Sequence, residues 1–222
     1  MAFTTPPTGT PLSPTPRTRL GRSKERASDD RDDLYEVLDT GLICHLGVVT
    51  DSGPMVVPTG YGRDGDTLYL HGSTGARSLR TAQETDVCVT VTHVDGIVLA
   101  RSTFHHSVNY RSAMIYGRAR LVTDEVERLA GLRVLTEQLA PGQWDYARRP
   151  NRKELAKTAV LALSLDEASV KIRRGGPVDD DEDYELPVWA GVLPLVTRWG
   201  APVPDEALRE GIDVPVHIGG RR

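Results

Sequence analysis

TLYLHGSTGARSLR (residues 67–80) and FHHSVNYRSAMIYGRARLV (residues 104–122) decide the fold of this chain. The first alternates: Thr67, Tyr69 and His71 fall on one face of an extended strand, Leu68 and Leu70 on the other. It then runs into a Gly/Ser/Arg turn. Gly72 and Gly75 permit close backbone approach, Ser73, Thr74 and Ser78 carry hydroxyls, and Arg77 offers a fork of N–H donors, a combination that suits a phosphate. The turn is neither a Walker loop nor GxGxxG. An ordinary strand-to-helix turn has the same composition, so both readings stand at this level. The second stretch is a long strand crowded with hydrogen-bonding side chains before it turns apolar. Together the two suggest a small β-barrel that holds a phosphorylated, planar cofactor.

Working outward, Ser28 and the acidic residues after it read as the N-cap and first turn of a short helix that ends at Gly41. LICHLGVV (42–49), MVVPTGYG (55–62) and TLYLHG (67–72) form a meander, joined by Asp51-Ser52-Gly53-Pro54 and by a turn that contains Asp64-Gly65. Residues 75–85 read as a helix. VCVTVTHV (87–94) alternates, Asp95-Gly96 marks a bulge or turn, and NYRSAMIYGRARLV is the fifth long strand. Thr123-Asp124 caps a helix through about Gln138, a second helical stretch lies near 151–157, and residues 159–174 read as one closing strand. Many short antiparallel strands with few helices point to a mainly β closed barrel. The expected organisation is a disordered Thr/Pro-rich tail over 1–19, one barrel domain over 20–195 and an irregular tail over 196–222; Trp189, Val192 and Leu193 at the end of the domain and Trp199 in the tail need burial against the barrel or a partner subunit.

The charge balance, 27 Lys+Arg against 31 Asp+Glu, provides no global field for nucleic acid or a membrane surface. Aromatic residues at 5% are too few for a base-stacking platform. Residues 17–26 hold five basic residues and one acidic, readable as a solvated lead-in or a nucleic-acid arm. No run is long enough to span a bilayer and no apolar leader opens the chain. Cys44 and Cys88 sit in apolar alternating runs without CxxC spacing, as expected of reduced core residues in a cytoplasmic protein.

His105 and His106 are adjacent, so in a strand their side chains face opposite ways and cannot chelate one metal. No histidine has acidic or cysteine companions at ligand spacing, and no metal site is expected. His71 or another histidine could be a haem axial ligand or a proton donor, and both roles stay open. The DDDEDYE run (179–185) reads as a solvated acidic face.

LGRSKERASDDR, GLICHLGVV, VVPTGYGRDGDTLYLHGSTGARS, VCVTVT, HHSVNYRSAMIYGRARLVTD, SVKIRRGGPVDDDEDY and PVWAGVLPL, in that order over about residues 20–195, give the chain a resemblance to the pyridoxamine 5′-phosphate oxidase-like, FMN-binding split-barrel superfamily. It is most similar to a flavin-nucleotide-binding branch that also resembles the nitroimidazole-resistance reductases. The resemblance implies an obligate homodimer with FMN at its interface. Val57, Pro58 and Thr59 then line the isoalloxazine through backbone groups, His71 and Gly72 lie beside the flavin, and Ser73, Arg77 and Ser78 belong to the phosphate turn. Ser78 stands where the oxidases have lysine, which leaves the phosphate mainly to Arg77. Ser112 falls where the oxidases place a flavin-contacting glutamine, beside Tyr110 and Arg111. His71 is implied as the catalytic or substrate-contacting residue. Trp189 matches part of the oxidases' C-terminal pattern, but the accompanying arginine is absent, which argues against pyridoxamine phosphate as substrate.

The function expected on these grounds is FMN-dependent oxidation or reduction of a small organic molecule, such as a nitro- or quinone-like acceptor. The alternatives are a flavin- or haem-binding carrier or sensor on the same barrel, and a deazaflavin-dependent reductase.

Overall fold

The computed structural model describes residues 11–12 and 15–221. Most of the expected N-terminal tail therefore lies outside the described residues. Where that tail is described, it is pinned: Thr15–Arg19 form a turn whose Arg17 pairs with Asp86 at 2.7 Å and with Glu167.

Asp30, not Ser28, caps the first helix, α1 (Arg31–Thr40), by accepting a hydrogen bond from the Asp32 N–H. Its Leu34, Val37 and Leu38 are buried. The expected meander follows as β2 (Ile43–Thr50), β3 (Gly53–Asp64) and β4 (Thr67–Ser73). A two-residue strand, β1 (Ala27–Ser28), precedes them. After α2 (Arg77–Glu84) comes β5 (Val87–Leu99), whose register against β6 (Ser107–Gly117) shifts between Val94 and Gly96, so Asp95-Gly96 is a bulge inside one long strand. Short β7 (Arg120–Leu121) leads to α3 (Glu125–Leu139), capped by Asp124, and then to α4 (Gln143–Tyr146) and α5 (Arg152–Lys157). The segment expected as one closing strand is two: β8 (Thr158–Ser164) and β9 (Ala168–Arg173), broken where Ser164 Oγ accepts from the Asp166 N–H and turns the chain. Last come β10 (Gly191–Pro194) and the single-turn α6 (Val216–Gly219).

All pairings are antiparallel, in the order β1-β9-β6-β5-β2-β3-β4-β8-β7, with β10 added to the β5 edge. The two ends of this path, β1 and β7, do not pair, and the sheet curls into the mainly β split barrel that the family resemblance implied. Inside lie Leu34, Leu46, Tyr61, Leu68, Leu70, Ile115 and Leu161 among others, all essentially buried. Cys44 and Cys88 are free thiols, and burial pushes the Cys44 thiol up to about 12.

A second, smaller core of Tyr69, Val122, Leu135, Val160 and Ala162 lies outside the barrel, beneath α3. Two glycines bring that helix close to the sheet. A Cβ on Gly62 of β3 would lie 2.8 Å from the Val134 carbonyl oxygen, and one on Gly131 of α3 would lie 2.9 Å from the Tyr69 ring. Gln138 Nε2 then donates to the carbonyls of Leu38 (2.9 Å) and Gly41 (2.7 Å) at the end of α1. Because Gly62 meets backbone, Gly62→Ala forces α3 off the sheet. The expected cost is about 1–3 kcal/mol, a fall in melting temperature of roughly 2–12 °C by calorimetry. An unchanged melting point would mean that α3 rides on the sheet more loosely than this.

Candidate functional site

The barrel splits between β3 and β4. Their ladder runs from Asp64–Thr67 to Tyr61–Leu70 and stops. Continued, it would set Gly60 opposite His71, Thr59 opposite Gly72 and Pro58 opposite Ser73. Instead the edges part: β4 stays with β8 as far as Ser73, while β3 from Gly53 to Gly60 stays with β2. Among the described residues no strand pairs the inner edge of β3 over this stretch. The structure therefore brings Val57, Pro58 and Thr59 to one side of a cleft and His71, Gly72 and Ser73 to the other.

At the end of the cleft the chain turns into α2. The loop amides that sequence reasoning offered to a phosphate are already occupied: Thr74 N–H bonds the Lys157 carbonyl, and Gly75 and Ala76 N–H bond Ser73. Ala76 provides no side-chain cap, so the first-turn N–H groups of Arg77, Ser78 and Leu79 are the ones left open. Arg77 is exposed and forms no ion pair among the described residues, and Ser78 is half-buried beside it. Open amides and an unengaged guanidinium at one helix start fit an anion. Gly72 serves packing, since a Cβ there would lie 2.8 Å from Leu79, which anchors α2 to the barrel core.

His71 lies on the opposite face of β4 from Leu79, away from the leucine core as the alternation required. It points toward α3. Its ring lines a pocket with Leu132 and Thr136 of α3, Trp144 of α4, and Arg148 and Pro150 of the following loop. This surround desolvates the imidazole and holds its pKa below the ordinary 6.5, so the ring is neutral near neutral pH. A neutral ring nitrogen in a pocket with an aromatic and aliphatic wall is what a haem iron requires of an axial ligand.

Tyr110, Arg111 and Ser112 are not part of this cleft within one subunit. β5 and β2 stand between β6 and β3, and three strand spacings amount to about 14 Å. Arg111 is also engaged, by Asp95 at 3.0 Å and Glu36 at 3.1 Å. Trp189 is 67% exposed just before β10, and the Leu193 and Trp199 side chains stay exposed with it. The bare face of the large sheet is apolar as well: Ile43, Val49, Val56 and Val94 are exposed there, around Pro58.

One cluster was invisible to spacing. Tertiary folding brings His105 to Asp180 (3.2 Å) and Asp183, so that a ligand atom from each lies within 4.8 Å of the others. Buried Asp179 fixes the acidic segment by accepting from the Arg101 and Ser102 N–H groups. No helix among the described residues is long and apolar enough to cross a membrane.

Comparison with known proteins adds the following. The sequence profile described as pyridoxamine 5′-phosphate oxidase matches residues 30–172. The chain is similar to the flavocytochrome Anf3 of Azotobacter vinelandii, with 38% identity over 96% of this chain and 99% of that one and a TM-score of 0.91. It is also similar to the FAD and haem binding protein of Mycobacterium smegmatis, with 40% identity over 88% of this chain and 97% of that one and a TM-score of 0.84. A 5-nitroimidazole antibiotic resistance protein of Bacteroides thetaiotaomicron shares the fold, at 22% identity over 66% of this chain and 86% of that one and a TM-score of 0.56. No curated protein sequence matches.

Proposed function

This chain belongs to the pyridoxamine 5′-phosphate oxidase-like family, and from that premise we propose that it is a redox protein holding a flavin and a haem on the two sides of β4. The observation that carries the reading is the position of His71. Its backbone borders the cleft between β3 and β4, while its ring enters the pocket under α3. The two relatives of 38% and 40% identity, a flavocytochrome and an FAD and haem binding protein, support assigning both groups to one chain.

The flavin's phosphate would be held by Arg77, Ser78 and the open amides at the start of α2, and its ring system by the backbone of Val57, Pro58 and Thr59. FMN and the larger FAD share the phosphate that this turn would bind. A haem would be held by His71. Bound, the pair supplies hydride and single-electron chemistry. The protein's own contribution would be to keep the His71 ring neutral and able to ligate and to present the two groups on opposite sides of β4. Turnover would be oxidation or reduction of a small molecule such as a quinone- or nitro-like acceptor. The visible spectrum of freshly purified protein tests the reading, with mass identification of what it releases. Flavin absorbance together with a Soret band is expected, and a colourless protein that takes up neither group would overturn it.

A homodimer belongs to the same proposal. The bare apolar sheet face, the exposed segment around Trp189, and the distance of Tyr110 and Ser112 from the cleft are what a second copy would resolve. Obligate interfaces bury roughly 2,000–5,000 Å². Light scattering at micromolar concentration is expected to give about twice the 24.3 kDa chain mass, and a mass of one chain would remove the dimer.

A further inference from the structure

The His71 pocket is lined by charged groups as well as by apolar ones. Residues 145–157, which include Ala147, Arg148, Arg149, Pro150 and Glu154 of its lining, hold five basic side chains and two acidic ones in a chain whose net charge is −4. Arg148 and Arg149 both line the pocket, as do Trp144 and Pro150. The Arg149 guanidinium lies 4.5 Å from the centre of the Trp144 ring, which orients it at the edge of the aromatic wall. Arg148 is held by both oxygens of Glu154, at 2.7 and 3.1 Å, and Arg149 by Asp145 at 2.7 Å. These pairs are solvent-exposed, with 68% and 45% of the side-chain surface open in the first and 47% and 71% in the second. Ion pairs so exposed contribute little, and a carboxylate brought by a ligand can take the place of Glu154 or Asp145 at small cost.

An imidazole, the Leu132, Trp144 and Pro150 side chains and two adjacent guanidiniums line one pocket, a set that suits a flat, largely apolar ligand with two carboxylates at one edge. We propose that Arg148 and Arg149 anchor the two carboxylates of the haem, and so decide which porphyrins enter the pocket and in which orientation. The inference rests on the haem reading given above. It follows from guanidinium–carboxylate geometry, in which two parallel N–H···O bonds fix direction as well as distance. Glu154 is the competitor built into the site. Arg148 first, and then the Asn151 N–H, hold its carboxyl below the ordinary range, so it stays ionised in place. Glutamine at that position keeps the capping box of α5, in which Glu154 accepts from the Asn151 N–H, yet gives up the charge that occupies Arg148.

The test titrates flavin-loaded, haem-depleted protein with haem and with haem dimethyl ester, whose carboxylates are blocked, and follows the Soret band. Wild type is expected to bind haem about tenfold or more tightly than the diester for each carboxylate engaged. The Arg148→Ala/Arg149→Ala double variant is expected to lose that preference while its diester affinity and Soret position stay put, because His71 is untouched. Glu154→Gln is expected to tighten haem alone. Equal affinity of wild type for haem and diester would overturn the inference and leave the haem reading standing, without reliance on how any variant folds. Parallel loss of both ligands in a double variant with an unchanged melting temperature would overturn it too. If neither porphyrin binds wild type, the haem reading itself fails, and the inference with it.

Discussion

His71→Ala is expected to yield protein that retains flavin absorbance and lacks a Soret band. The side chain contributes no packing to the barrel core, which lies on the other face of β4 with Leu68 and Leu70, so its loss should leave the fold and the cleft intact. Removing an outer-shell partner of a metal ligand costs roughly 10- to 100-fold in affinity, and loss of the ligand itself should cost more. Retention of haem by the variant would move the axial ligand elsewhere and leave His71 for the proton-donor role. A pH dependence accompanies the same residue. Burial lowers the pKa of His71 in the folded protein below the 6.5 of the unfolded chain. Between those values the unfolded state binds more protons than the folded state, so stability rises with pH through this window. The contribution is complete above 6.5 and lost as pH falls through the depressed value. The haem-depleted protein should therefore melt earlier as pH is lowered from about 7 to about 5, and His71→Gln should lose that part of the slope. Identical slopes in both proteins would show that the ring is not desolvated in solution.

Arg77→Ala is expected to weaken FMN or FAD about ten- to a hundredfold, while riboflavin, which lacks phosphate, binds nearly as before. One charge-assisted hydrogen-bonding group contributes about 1.5–3 kcal/mol. Among the described residues Arg77 has no ion-pair partner, so its removal strands no buried carboxylate there, and the change in affinity reports on the ligand. The helix-start amides remain in the variant, which is why binding should fall and not vanish. Equal losses for phosphorylated and unphosphorylated flavin would make Arg77 a structural residue of the α2 start.

The parts of this molecule that alternate or cap were legible in the sequence. β2, β3 and β4 carry period-2 patterns with turn residues between them, and Asp124 and Asn151 sit at helix starts with side chains able to accept from the next turn. The 159–174 segment was misjudged because Ala159 to Leu163 are all buried, one face by the barrel core and the other by α3. Such a run has no alternation with which to mark its end, and Leu165 prolongs the apolar pattern through the turn. His71 shows the same limit at the site. Periodicity correctly placed its ring away from the leucines, but what covers that face is α3, about sixty residues later in the chain. The pairing of His105 with Asp180 and Asp183 likewise depends on contacts across some 75 residues.

The break between β8 and β9 has a consequence for the order in which this protein can be made. Strands only three residues apart in the chain go to distant places: β8 lies between β4 and β7, and β9 between β6 and β1. A ribosome that has delivered everything up to Lys157 has released a sheet with raw edges on β4 and β6, and two end strands with nothing to join. Neither half can be finished before the other, because one late stretch of chain supplies the missing strand to both. For most of its synthesis the chain is thus an unfinished sheet with open flanks, the condition in which strands find the wrong neighbour. Both flanks close within one short stretch of translation, when residues 158–173 emerge, and only β10 is left to add to β5.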